Sequence, residues 1–189
     1  MKAAKFTAVL ALALCSASVL AGEIKDSHVH ANNAKNYSQG SGSHAQQWIG
    51  VASGKGLMKD STVEAGNAKN TAEGSGSHAH QTIGAVSGSG KVVDTEIRAG
   101  NAQNTAKGTD SRAEQTIGKA GGHGQIKDSR IHADYAINTS VGHGSKAFQQ
   151  IGVVGGNGKL KDVHVHTTQA TNTAYGANST ADQRVGVAK

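Results

Sequence analysis

The stretch GNAKNTAEGSGSHAHQTIG, residues 66 to 84, recurs four more times, from Asn32, Gly100, Asp134 and Thr168, each copy 34 residues after the last and without insertion or deletion. Five copies in unbroken register make this a repeat protein, in which one supersecondary unit is stacked on the next. The repeat also lets positions be read as columns within one chain. One column holds Asn36, Asn70, Asn104, Asn138 and Asn172; a second holds Ser43, Ser77, Ser111, Ser145 and Ser179; a third holds Gln47, Gln81, Gln115, Gln149 and Gln183.

Within the central copy, Asn70, Ala72 and Gly74, then Ser77, Ala79, Gln81 and Ile83, sit at spacing two and barely change between copies, while their neighbours vary freely. Period two is the signature of a strand, with the repeated set on one face and the variable set on the other. The variable column Gln39, Glu73, Lys107, Val141, Tyr175 carries charge and belongs in water. The repeated face is therefore the predicted interior. Its apolar column is Ile49, Ile83, Ile117, Ile151 and Val185.

Composition supports a repetitive interior over a layered globule. Aromatic residues make up 3% of the chain, and Gly, Ala, Ser, Thr and Asn dominate. Ordering each residue costs roughly 1 to 2 kcal/mol, and so few large apolar side chains would not offset it in a conventional core. Such a composition otherwise belongs to disordered chains. The strict register and the absence of proline, which would interrupt a hydrogen-bond ladder, favour order.

The first third of each copy adds strand from Ile24 to Ala31, Met58 to Ala65, Val92 to Ala99, Ile126 to Ala133 and Leu160 to Thr167. Its two apolar columns lie five residues apart, which places a bulge or bend between them at Asp26, Asp60, Asp94, Asp128 and Asp162. Stacking one copy per turn puts like residues above like, about 4.8 Å apart, so that Asn and Gln columns bond side chain to side chain along the stack. The expected fold is all-β, a parallel β-solenoid of five 34-residue repeats over residues 22 to 189. Parallel register also sets Glu64 beside Arg98 and Glu96 beside Arg130, opposite charges that reinforce it.

Residues 1 to 21 read as a secretory signal peptide: Lys2 and Lys5, an apolar run from Phe6 to Leu14, then short residues before Gly22. Cleavage after Ala21 would remove Cys15, the one cysteine, and leave a secreted chain without disulfides or a membrane-spanning segment. The formal net charge of +6 includes Lys2 and Lys5 and forms no Lys/Arg block, so a nucleic-acid partner is not expected. Both ends of the array look uncapped, and an exposed strand edge invites another chain. The expectation is end-to-end self-assembly into a cross-β fibre.

The elements Asn70-x-Ala72-x-Gly74 and Ser77-x-Ala79-x-Gln81, with their equivalents, resemble the curlin-type repeats of bacterial functional amyloids. The likeness is one of style, since the curlin repeat is shorter, has a longer Ser-to-Gln spacing and lacks the KDS-x-V strand. It implies a secreted subunit of surface fibres or biofilm matrix that assembles with itself, with an outer-membrane export or nucleation factor as partner.

Enzyme signatures are missing from the sequence: no phosphate loop follows an apolar strand into a helix, and no nucleophile elbow occurs. No cofactor is expected. His-x-His occurs as His28/His30, His78/His80 and His164/His166; two residues apart on a strand share a face, so each pair could chelate Zn²⁺, Cu²⁺ or Ni²⁺ with a further ligand, or simply form part of a solvated face. The Asp column offers oxygen ligands for Ca²⁺ or, more simply, turn residues that bond their own backbone. The competing function is a monomeric solenoid that binds a surface, a glycan or a metal through its variable face.

Overall fold

The computed structural model describes residues 20 to 188. The predicted signal peptide lies outside the described residues except for Leu20 and Ala21, which open the first strand. Every regular element is a strand: β1 Leu20–Lys25, β2 His28–Gln39, β3 His44–Lys59, β4 Thr62–Glu73, β5 His78–Val86, β6 Lys91–Val93, β7 Glu96–Lys107, β8 Arg112–Ala120, β9 Gln125–Lys127, β10 Arg130–Val141, β11 Lys146–Val154, β12 Lys159–Lys161, β13 His164–Tyr175 and β14 Thr180–Val185.

All pairings among the described residues are parallel, and all but Leu20 with Val51 and Ala21 with Ala52 are shifted by one repeat, as in Asn70 with Asn104 and Gln81 with Gln115. The protein is therefore a parallel β-solenoid of five stacked coils. Each coil has three faces. β2, β4, β7, β10 and β13 form a five-stranded sheet; the others form a nine-stranded one. The larger sheet comprises two faces, which β3 joins by running unbroken from its pairing with β5 to its pairing with β1 and β6.

The Asp column is a corner rather than a bulge within one strand. Asp26, Asp60, Asp94, Asp128 and Asp162 all have φ between 46° and 50°, and each ends a strand of one face just before a strand of another begins. Aspartate tolerates the left-handed region better than most side chains, which explains its recurrence. Lys59, Lys127 and Lys161 pair with their own neighbouring aspartates. The aspartates are turn residues, as the simpler sequence reading expected, but the side-chain bond to the turn backbone comes from the hydroxyl that follows them, from Ser27, Ser61, Thr95 and Ser129 to the carbonyl two residues before.

The strand after the corner is longer than the sequence pattern implied. β4 runs through Gly66, where alternation slips: Val63 and Ala65 point inward, Gly66 and Asn67 outward, then Ala68, Asn70 and Ala72 inward. The pairing register omits Gly66 and its partner Asn32 accordingly. One extra outward residue bends the strand and lets it serve two stretches of interior.

Glycine is forced at two kinds of place. Gly74, Gly108, Gly142 and Gly176 have φ between 127° and 139°, and an added Cβ would fall on the carbonyl oxygen of the glycine one coil before. Gly84, at φ 58°, leaves only 2.7 Å between such a Cβ and Cγ1 of Ile97. Both sites need the bare backbone to close the coil.

Two apolar clusters fill the interior. The larger stacks Ile24, Met58, Val92 and Ile126 beside Val63, Ile97, Ile131 and Ile49, Ile83, Ile117, Ile151. The smaller contains only alanines, Ala45, Ala72, Ala79, Ala106 and Ala113, where the coil narrows. The large residues carry the hydrophobic stabilisation, about 25 cal/mol per Å² of apolar surface. Between the clusters lie the amides.

Candidate functional site

The repeated polar residues occupy the interior, as their period required. Asn70, Asn104 and Asn138, Ser77, Ser111 and Ser145, and Gln81, Gln115 and Gln149 are all at or below 1% exposure. Asn36, Ser43, Asn172 and Ser179, in the outer coils, are half-buried, and Gln183 is exposed. A buried amide without partners would be costly, so the partners matter.

Each asparagine reaches across the coil to the opposite sheet. Asn70 Nδ2 donates to the carbonyls of Ala45 and His80 at 2.9 and 3.1 Å, and to Asn104 Oδ1 at 2.8 Å. The ladder continues from Asn36 to Asn70, Asn104 to Asn138 and Asn138 to Asn172. Every asparagine of this ladder but the last, Asn172, donates to the coil that follows.

The glutamines reach back from the other sheet. Gln81 Nε2 donates to the carbonyl of Ala68 at 2.9 Å and to Gln47 Oε1 at 2.8 Å, and Gln115, Gln149 and Gln183 repeat the pattern. Each of these four glutamines donates to the coil that precedes it. The backbone carbonyls fix these orientations, because a reversed amide would set oxygen against oxygen. The two ladders thus run in opposite directions along one interior.

The serine column bonds the narrow turn. Ser111 Oγ donates to the Gly74 carbonyl at 3.0 Å and accepts the N–H of Ser77 at 3.2 Å, with Ser145 and Ser179 repeating both bonds one and two coils on. A further column, Ser27, Ser61, Thr95 and Ser129, does the same at the Asp corner and was not singled out from the sequence. Its signal was available: a hydroxyl follows the aspartate in four copies, and Val163 replaces it in the fifth.

The ends of the ladders differ from the middle. Gln47 is 5% exposed, yet its Nε2 is a buried donor with no hydrogen-bond partner among the described residues. At the other end Val185 is 40% exposed, against 0% for Ile83, Ile117 and Ile151 in the same column. Ala181 and Gln183 are exposed beside it. The interior cross-section is open at the last coil.

The outer face carries the charged columns. Register sets Glu64 opposite Arg98 and Glu96 opposite Arg130, as expected, but the ion pairs form elsewhere. Arg98 bonds Glu96 on its own strand at 2.8 Å, and Glu64 lies 3.2 Å from His30 and 3.7 Å from His28. Residues two apart on a strand share a face, so a long arginine reaches its diagonal or same-strand neighbour as readily as the one opposite. Glu114 accepts bonds from His80 and Arg112, and the His80 bond foremost lowers its carboxyl pKa to about 2.

The three His-x-His pairs have different fates. His78 stacks on His44 with ring centroids 4.9 Å apart, while His80 is engaged with Glu114 and Thr82. His166 stacks on His132 at 4.9 Å with planes 5° apart. His28 and His30 join Glu64 in the one group of three metal-ligating side chains among the described residues, with ligand atoms within 4.8 Å of one another. No family model, no curated protein and no solved structure matches the chain. Its β-solenoid fold fits a structural or adhesin-like repeat protein.

Proposed function

We propose that this protein is a secreted structural subunit that stacks end to end, the last coil of one copy receiving the first coil of the next, into cross-β fibres of a surface or extracellular matrix. The observation that carries this reading is the pairing of ladder ends. Gln47 offers a buried donor without a partner among the described residues, and Gln183, an exposed residue at the far end of the same ladder, bonds Gln149 through its Nε2, which leaves its Oε1 to accept. Ala34, Ala45 and Ile49 beside Gln47 are fully buried in the single chain, so joining requires the first coil to be uncovered; a copy then added in register would let Gln47 donate to Gln183 in the same sense as the other bonds of that ladder. The Asn ladder, running the other way, would be continued by Asn172 donating to Asn36. Each junction would also bury the open apolar column at Val185.

A second reading, an adhesin that binds through its variable face, is favoured by a groove over the bend of the five-stranded sheet. Gly66 and Gly100 form its floor, and Glu96, Arg98, Arg130 and Asp134 line it.

The test is electron microscopy of the purified protein at neutral pH in EDTA, beside the variant Ala181→Lys/Val185→Lys, which sets two charges in the open end. Fibres from the wild type with a meridional spacing of about 4.8 Å, and none from the variant, are expected. Discrete particles from both, with circular dichroism showing folded β structure, would remove the fibre reading and put the adhesin in its place.

A further inference from the structure

The five copies place histidine at both ends of the two outward columns of the five-stranded sheet. One column reads His30, Glu64, Arg98, His132, His166 and the other His28, Thr62, Glu96, Arg130, His164. Between the ends, Glu64 stands next to Arg98 in one column and Glu96 next to Arg130 in the other. At the first coil, Glu64 of β4 lies against both histidines of β2, its Oε2 being 3.2 Å from His30 Nδ1 and 3.7 Å from His28 Nε2. All three side chains are accessible from solvent, 62%, 50% and 37% exposed, so a cation can reach them and small rotations can close them around it.

We infer that His28, His30 and Glu64 form a binding site for a borderline transition cation of the Zn²⁺, Cu²⁺ or Ni²⁺ class, and that His164 and His166 of a second copy complete it at the fibre junction. Two imidazoles and one carboxylate are the donor set of an open zinc site, with metal bonds of about 2.0 to 2.2 Å and a fourth position free. Imidazole donors favour these cations over Ca²⁺ and Mg²⁺, which take oxygen.

The second half of the inference rests on the end-to-end reading. Continuing the 34-residue register from β13 of one copy to β2 of the next sets His164 beside His28 and His166 beside His30. The chain already contains one such step, since His132 pairs with His166 in register and their rings stack. Within the chain these columns meet as His beside His only there. The junction would bring four imidazoles and Glu64 onto one patch, where a bound cation ties one copy to another. Assembly would then respond to metal through a site that each free copy holds only in part.

The experiment uses the purified full chain at pH 7.5, stripped of metal, with ZnCl₂ and NiCl₂ as probes. Binding is read by titration calorimetry and growth by light scattering and electron microscopy. Expected are one Zn²⁺ per chain, loss of binding by at least tenfold in His28→Ala/His30→Ala, and a fall of fivefold or more in the concentration needed for fibres. The variant His164→Ala/His166→Ala should keep the weaker binding of the unassembled chain and lose the effect of metal on growth. His44→Ala/His78→Ala, a stacked pair elsewhere, should match the wild type. Circular dichroism confirms that each variant is folded.

Equal Zn²⁺ affinity in wild type and His28→Ala/His30→Ala would overturn the site, and fibres formed equally with Zn²⁺ or EDTA would overturn its junction role while leaving end-to-end stacking intact. Zn²⁺ bound through His28 and His30 by a chain that forms no fibres would overturn the junction together with the stacking.

Discussion

The hydroxyl of Ser129 accepts the backbone N–H of Thr95 at 3.2 Å, one coil away, at the corner where the chain passes from one face to the next. Ser61 serves Ser27 in the same way at 3.3 Å. In the last coil the position is Val163, which has no oxygen to offer Ser129. Thr95 shows that a β-branched side chain fits the column. Val163→Thr should therefore keep the packing and add one hydrogen bond, stabilising the last coil by about 0.5 to 1 kcal/mol. Urea unfolding would measure the gain, and slower hydrogen exchange at the Ser129 amide would locate it.

Glycines of the narrow turn divide into two classes that a single substitution each can separate. Gly108→Ala would place a methyl group on the Gly74 carbonyl at a φ of 132°, and should cost about 3 kcal/mol or more through strain and separation of the coils. Gly76→Asn meets nothing within 4 Å at a φ of 68°, and other copies already hold Asp110 and Asn178 there. Its cost should stay within about 0.5 kcal/mol. Thermal unfolding of the two variants in parallel checks both values.

Acid should weaken the outer face at one identifiable place. The His80 bond, with help from Arg112, holds the Glu114 carboxyl at about 2, against 4.5 for the free group. A depressed carboxyl pKa stabilises the folded state fully above the unfolded value. That contribution fades as pH falls from about 4.5 towards 2. The side chain is 30% exposed, so solvent screening limits the effect to about 1 kcal/mol. Glu114→Gln should be less stable than the wild type by that amount at pH 6, with most of the difference lost by pH 2. Urea midpoints at pH 6, 4 and 2 measure it.

The sequence pattern carried the inside-outside assignment because period two and a fixed repeat both act on side-chain direction. Asn70, Ser77, Gln81 and Ile83 fell inside on that ground alone. It did not show that each coil has three faces, nor that β4 bends at Gly66, where one extra residue sits in a run that otherwise reads as ordinary strand. The Asp column announced a break in the period; only its positive φ shows a corner. The partner of Glu64 was likewise beyond reach, because register fixes which residues are opposite but not which rotamers meet. Ladder direction has no signature in sequence at all: it depends on which carbonyl the amide nitrogen finds across the coil.

That direction has a further effect. A chain of amides donating head to tail sums its dipoles, as peptide groups do in an α-helix, so a single ladder would build up opposite partial charges at its two ends. Here Asn70 points one way and Gln81 the other, coil after coil, with the same amide group in each. Backbone dipoles in a sheet also largely cancel. The stack is thus close to electrically neutral along its axis at any length. Adding a coil builds no field against the next one, and neither tip gains an electrostatic advantage from the side-chain ladders as the stack grows.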